Sequence, residues 1–294
     1  MKNYKSLKGI GMYSILGITI LYDVIFILIY KFIDSYELSN LMKLALTVYN
    51  IYQIYYMLIC RTLNYSMDED NIYINTALGL KKEKIAFESI KAYQKSKGPI
   101  KGVKLSGHGK NSFNIGKSFV DKIGTTYMFV TSTKNVIYLN TPNMNYAVSP
   151  EKFDEFESGL KNRGIENSSW SADSNKNINF HKDKRFFMLF IITAILALII
   201  TLNPIIMYLT DKIPARMPLN FNTDFTPCKF GTGKQFAFKQ MAYGLLNMAV
   251  LFCMYYAGAL FGKYDKKSSY KFIYIALLIT LLFLINQFRI IILF

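Results

Sequence analysis

Apolar positions along the chain fall into two regimes. Five stretches are almost continuously apolar: residues 9–30, 38–60, 186–208, 240–262 and 272–294. Each is at least as long as the roughly 20 residues a helix needs to cross a hydrocarbon core about 30 Å thick, and a helix satisfies its own backbone amides there. The first stretch contains one charge, Asp23, the second only Lys43, the third and fourth none, and the last only Arg289. The pattern therefore predicts five transmembrane helices, two before a long polar middle and three after it.

In that middle the period changes to short alternating runs, the signature of half-buried strands. Strands are expected at residues 64–67, 71–75, 82–87, 90–94, 103–106, 112–115, 127–132, 136–140 and 146–148, with turn residues between them. One amphipathic helix closes the set. Ser149 reads as its N-cap and Pro150 as its first residue; Phe153, Phe156 and Leu160 form one stripe, and Gly164 is a stop signal.

This arrangement resembles a bacterial pleckstrin-homology-like (PH-like) domain. The resemblance is carried by Ser112-Phe113-Asn114-Ile115-Gly116, by the strand pair around Val130-Thr131 and Val136-Ile137-Tyr138-Leu139, and by Tyr146-Ala147-Val148-Ser149-Pro150 running into Phe153 and Phe156. That ending looks like the one in membrane-tethered members, including the sublancin immunity protein. The expected fold class is thus a membrane α-helical chain of five transmembrane helices plus a cytoplasmic all-β PH-like domain with one C-terminal helix. Residues 1–61 would form a two-helix membrane hairpin, 62–164 the β domain, 165–185 a polar linker, and 186–294 a three-helix region.

Charge refines the picture. Of the 294 residues 52% are hydrophobic and 18% charged, and 30 lysines with 5 arginines give a net charge of +16. Lys2, Lys5 and Lys8 precede the first apolar run, which is too long for a cleaved signal and lacks a small-residue cleavage site, so it reads as a retained anchor. Basic residues flanking the spans number eleven on one side, Lys182 among them, against seven on the other. The N-terminus and the β domain are therefore expected in the cytoplasm and the C-terminus outside.

Residues 81–122 hold eleven lysines. Lys81, Lys82, Lys84, Lys101, Lys104 and Lys110 are candidates for contact with anionic lipid headgroups. Nucleic acid is not an expected partner: no recognition-helix pattern is present and arginine is scarce. Gly116-Lys117-Ser118 ends like a phosphate-binding loop, but Asn111 stands where that loop needs glycine, and strands surround it. His108, between Gly107 and Gly109, and His181, before a span, read as loop and flank residues. Three scattered cysteines make neither a disulfide framework nor a metal site.

The connector at 209–239 carries Pro214, Pro218 and Pro227 and is expected to be a rigid extended loop, neither a helix nor a sheet centre, on the extracellular side. Ile213-Pro214, Met217-Pro218, Phe221-Asn222, Pro227 and Gly233-Lys234 resemble the loop domain of the Sdp-toxin immunity protein family. Asn220, Phe225 and Cys228 depart from it, standing where that family has His, Gly and Asp, so no metal or acid-base role is expected. Both resemblances imply bacteriocin immunity.

Charges within spans are costly and need partners. Asp23 and Arg289 would lie roughly 21 and 26 Å from the inner boundary at 1.5 Å per residue, and Asn50, Asn203, Asn247, Asn286 and Gln287 fall in the same outward half. These residues are expected either to line a polar cavity under the Pro-rich loop or to knit the helices together, with Arg289 reaching the outer surface. Asn203-Pro204 is expected to kink the third span. No nucleophile–base pair, metal cluster or carboxylate pair is visible, so neither catalysis nor a cofactor is expected. The leading expectation is a non-enzymatic membrane protein giving immunity to, or sensing, an antimicrobial peptide, with the bilayer and a cytoplasmic protein as further partners. The alternatives are a small transporter or permease component and a membrane scaffold.

Overall fold

The computed structural model describes residues 1–79, 81–171 and 183–294. His181 and Lys182, and with them much of the expected linker 165–185, lie outside the described residues. The chain divides into two compact units: Met1–Ile25 with Leu46–Asn175, and Phe26–Ala45 with Lys176–Phe294.

The first unit contains two sheets. Strands β1 (Lys2–Lys5), β2 (Asn64–Met67), β3 (Asn71–Thr76) and β4 (Lys81–Ala86) form an antiparallel sheet in that order. The second sheet is ordered β5 (Ala92–Ser96), β10 (Val136–Asn140), β11 (Asn145–Val148), β9 (Gly124–Val130), β8 (Phe113–Val120) and β6 (Gly102–Lys104), with β7 (His108–Lys110) also paired to β8. One pairing departs from the antiparallel expectation, because β11 runs parallel to β9. Both sheets contribute to one core with Tyr65, Ile72, Ile74, Tyr93, Phe129 and Ile137 fully buried. The Tyr65 hydroxyl donates to Phe129 O at 2.6 Å and accepts from Ser149 N at 3.1 Å, so a single buried phenol satisfies backbone groups of two further segments.

Lys2–Lys5, expected as part of the membrane hairpin, is instead a strand. Lys5 lies opposite Asn64, so the residues just before the first long helix and just after the second are neighbours in one sheet. Leu7 N donates to Ser149 O and Glu151 N donates to Lys5 O, closing the segment onto the second sheet's last strand. At Gly9 a Cβ would fall 1.7 Å from Thr131 O, so only glycine permits this approach.

Helix α3 (Phe153–Lys161) starts later than expected. Its N-cap is Lys152, with no side-chain cap. Ser149 and Pro150 are held by two other segments: the Ser149 hydroxyl accepts from Thr131 N just after β9, and from the N-terminal segment Leu7 N donates to Ser149 O and Ser6 bridges Pro150. Phe156 and Leu160 are buried, and Glu157 fastens α3 to β5 through the Tyr93 hydroxyl at 2.8 Å and Lys95 at 3.1 Å, with Lys161 at 3.0 Å on its own helix.

The long helices are α1 (Gly11–Tyr30), α2 (Tyr36–Thr62), α4 (Lys184–Leu209), α5 (Gly233–Gly262) and α6 (Lys266–Leu293). Four of them, all except α2, are long and apolar enough to cross a membrane. The stretch 38–60 does form a helix, but four tyrosines (Tyr49, Tyr52, Tyr55 and Tyr56), with Asn50 and Gln53, lower its apolarity. α4, α5 and α6 pack together around Phe186, Leu251 and Ile273. Asp183 caps α4 and bonds Lys266 at 2.7 Å and the Tyr270 hydroxyl at 2.8 Å. The Lys266 bond holds the Asp183 carboxyl down at about 2 against the opposing effect of burial, and the bonds from Tyr270 and Phe186 N support it.

Residues 209–239 are not an extended connector. They form a hairpin of β12 (Arg216–Phe221) and β13 (Pro227–Thr232), and α5 begins at Gly233. Both strands are edges, where a proline need not break a ladder, and the register slips between Pro218 and Asn220. Thr232 and Gln235 form a capping box, so Lys234 and Lys239 are helical residues.

Candidate functional site

The most polar buried site among the described residues of the second unit is assembled at the first turn of α2. Ser35 accepts from Leu38 N at 3.4 Å, starting the helix, and places Glu37 in its first turn. Glu37 is 8% exposed. Its Oε2 accepts from the Ser35 hydroxyl at 2.8 Å and the Tyr243 hydroxyl at 3.0 Å, and its Oε1 from Asn286 Nδ2 at 3.2 Å. Ser35 Oγ and Tyr243 Oη are themselves 2.6 Å apart. All three neighbours are neutral donors, and no cation forms an ion pair with Glu37 among the described residues. Beside it lies a cavity of about 200 Å³ whose walls include Leu41, Leu44 and Phe283, with Asn40 and Asn286 as further polar groups.

An aromatic cap adjoins this cluster. Phe221 and Phe225 stack at 4.4 Å, Tyr36 meets Phe225 edge-on at 5.3 Å, and the Arg289 guanidinium sits 3.7 Å over the Phe225 ring. Phe225 has φ 65°, the left-handed region that favours glycine.

The expected polar residues are distributed over both units. Asp23 accepts from Asn50 Nδ2 at 3.0 Å within the first unit, whereas Arg289 has its aromatic partner in the second. Asn286 joins Glu37. Asn247 is buried but donates to Tyr243 O on its own helix, and Asn203 is half-buried on α4. In the hairpin Asn220 Oδ1 accepts from Lys239 at 2.6 Å, whose Nζ also bonds Leu219 O. Phe221 is in the cap, Asn222 pairs with Thr226, Pro218 is buried, and Pro214 and Lys234 are exposed.

Glu37, Ser35 and Tyr243 escape sequence reasoning. The pattern starts the second span at Leu38 and leaves Glu37 among flanking residues, although Ser35-x-Glu37 before an apolar run is a helix-start signal.

The lysine candidates divide between two sheets of the first unit. Lys82 and Lys84 are exposed on β4, and the Lys81 ammonium lies 4.1 Å over the Tyr127 ring. Lys101 is exposed just before β6, whereas Lys104 and Lys110 line a cavity of about 190 Å³ whose floor includes the buried Asn114–Ser118 pair. Gly116-Lys117-Ser118 is mid-strand in β8, which removes the phosphate-loop reading. His108 is no free loop residue. Its ring packs 5.7 Å from Tyr52 and 5.4 Å from Tyr56 of α2, and Gly107 N donates to the Tyr52 hydroxyl at 2.8 Å. Burial, and secondarily the Lys104 charge, pushes the imidazole down to about 4. Among the described residues no three His, Cys, Asp or Glu side chains gather as a metal site.

Comparison with known proteins places a bacterial PH domain at residues 63–164. The chain is also similar to an uncharacterised protein of Clostridium acetobutylicum, 40% identical over 290 residues that cover 99% of this chain and 98% of the other. No solved structure matches the chain.

Proposed function

The chain belongs to the family of that Clostridium acetobutylicum protein, and on this premise we propose that it is a non-enzymatic membrane protein that protects its own envelope against an antimicrobial peptide or senses one. The observation that carries the reading is the Glu37 cluster: a buried carboxylate, a cavity and an aromatic-capped hairpin gathered in one place. The resemblance of the hairpin sequence to an immunity-family loop and of the β domain to membrane-tethered immunity proteins points the same way.

The topology in this reading has five spans. A chain segment that leaves and re-enters one sheet crosses a bilayer twice or not at all, and β1 before α1 is the neighbour of β2 after α2. With α1 apolar enough to cross, α2 is the return span. The basic-residue bias then puts the β domain, with its single closing helix α3, in the cytoplasm and residues 31–35 with the β12–β13 hairpin outside. There the Glu37 cavity meets an external ligand, while Lys82, Lys84, Lys101, Lys104 and Lys110 face anionic headgroups or a cytoplasmic protein partner.

The test is expression in a strain sensitive to a peptide encoded beside the gene. Raised tolerance supports the reading; unchanged sensitivity with the protein present in the membrane removes it.

A further inference from the structure

We propose that the cavity beside Glu37 binds a primary ammonium group carried on a short apolar stem, with Glu37 as its counter-ion. The assignment stands on the cavity and not on the immunity reading, so either can fail alone.

The argument begins with the charge. Glu37 is buried, and every group bonded to it is neutral. Lys239, one turn before Tyr243, bonds Leu219 O and Asn220 Oδ1 and forms no ion pair with Glu37 among the described residues. A desolvated carboxylate in a membrane protein normally has a cationic partner, and here the space next to it is open. The walls of that space, Tyr36, Leu41, Leu44, Leu282 and Phe283, suit methylenes, and its volume is about 200 Å³.

Geometry selects ammonium over guanidinium. A carboxylate offers about four acceptor sites, and Ser35, Tyr243 and Asn286 already occupy both oxygens. No free bidentate edge is left for a planar guanidinium. A compact ammonium needs a single remaining site, and its other hydrogens find the amide oxygens of Asn40 and Asn286, which line the same cavity. The approach is also acidic. Tyr36 and Asn40 are shared with a wider cavity of about 560 Å³ lined by Asp34 and Asp224, where Lys43 is the one basic residue. In a chain of net charge +16, this mouth is locally set for a cation.

Full-length protein in nanodiscs of phosphatidylcholine, a lipid with no primary amine, is titrated with pentylamine hydrochloride while thermal unfolding is followed. A saturable rise in the unfolding midpoint, roughly 5 °C at a hundredfold excess over Kd, is expected. Pentanol and pentanoate at matched ionic strength should not produce it. Glu37→Gln should abolish the rise, and so should Leu44→Phe, which fills the cavity without touching the carboxylate and serves if the first variant folds poorly. Nanodiscs containing phosphatidylethanolamine identify the source: a rise already present and insensitive to pentylamine assigns a lipid amine, whereas a rise still requiring pentylamine and reproduced by Nα-acetyl-lysine methylamide assigns a lysine-type side chain. An equal rise with pentanol, or a rise retained in both variants, overturns the proposal.

Discussion

Gln287 of α6 donates its amide to the Ile200 carbonyl of α4 at 2.9 Å. Ile200 is four residues before Pro204, which has no N–H to return the helical bond. The proline inside α4 thus leaves a bare acceptor in the apolar bundle, and a neighbouring helix supplies the donor. Asn203-Pro204 reads in the sequence as a kink and Gln287 as one of several polar residues in the outward half of the spans; the structure makes Pro204 and Gln287 parts of one device.

Gln287→Leu should therefore lower stability by about 1 kcal/mol, the scale of a lost hydrogen bond with a buried acceptor left over. Pro204→Ala restores the helical donor, so in that background Gln287→Leu should cost measurably less. A double-mutant cycle by reversible detergent unfolding checks this. Strictly additive costs would mean the two positions do not serve the same carbonyl.

Gly244 sets how closely α5 approaches α4. A Cβ there would lie 2.1 Å from Thr201 Oγ1 and 2.7 Å from Thr201 N. Because backbone is among the clashing atoms, Gly244→Ala should lower the thermal midpoint, and trimming Thr201 should not fully restore it. Gly17, whose Cβ would meet nothing within 4 Å, is the control, and Gly17→Ala should be neutral or slightly stabilising.

His108 predicts a pH effect with a defined window. Its imidazole titrates near 4 in the fold and near 6.5 when exposed. The unfolded chain therefore binds more protons between those values, and stability falls as pH drops from 6.5 towards 4. His108→Phe keeps a ring against Tyr52 and Tyr56 and should flatten that part of the profile. An identical pH profile in the variant would contradict the buried, neutral imidazole.

Glu157 predicts the complementary case at lower pH. Burial alone would raise its carboxyl, but bonds from Lys161, Tyr93 and Lys95 outweigh it and hold it down at about 2, against 4.5 unperturbed. Its contribution is present above pH 4.5 and is lost as pH falls through 2. Glu157→Gln should weaken the docking of α3 at neutral pH and lose much less at pH 2. Hydrogen exchange of the Phe156 and Leu160 amides reads this directly.

Much of the fold is legible in the sequence because period and turn chemistry agree: β2 and β10 fall at their expected residues, and the alternating runs mark most of the other strands. The misses share a cause, which is that the deciding partner is distant in sequence. Lys2–Lys5 looks like a positively charged flank until Asn64–Met67 lies beside it. Ser149-Pro150 is a sound local helix start, overruled by Thr131 and Ser6. Prolines suggest a rigid extended loop, whereas two mutually pairing edge strands accommodate them. At the site, Asn286 is legible as a polar residue within a span, but Glu37 acquires meaning only when Tyr243 and Asn286 close around it.

In the proposed topology α1 and α2 leave and return to one side of the membrane, with the β domain there and the β12–β13 hairpin on the other. Cys228 is exposed on β13, and Lys101 is exposed in the β domain. In a Cys60→Ser, Cys253→Ala background, an impermeant maleimide should label Cys228 in intact cells. With Cys228→Ser added, Lys101→Cys should be labelled only after permeabilisation. Labelling of both positions from the same face would contradict the account.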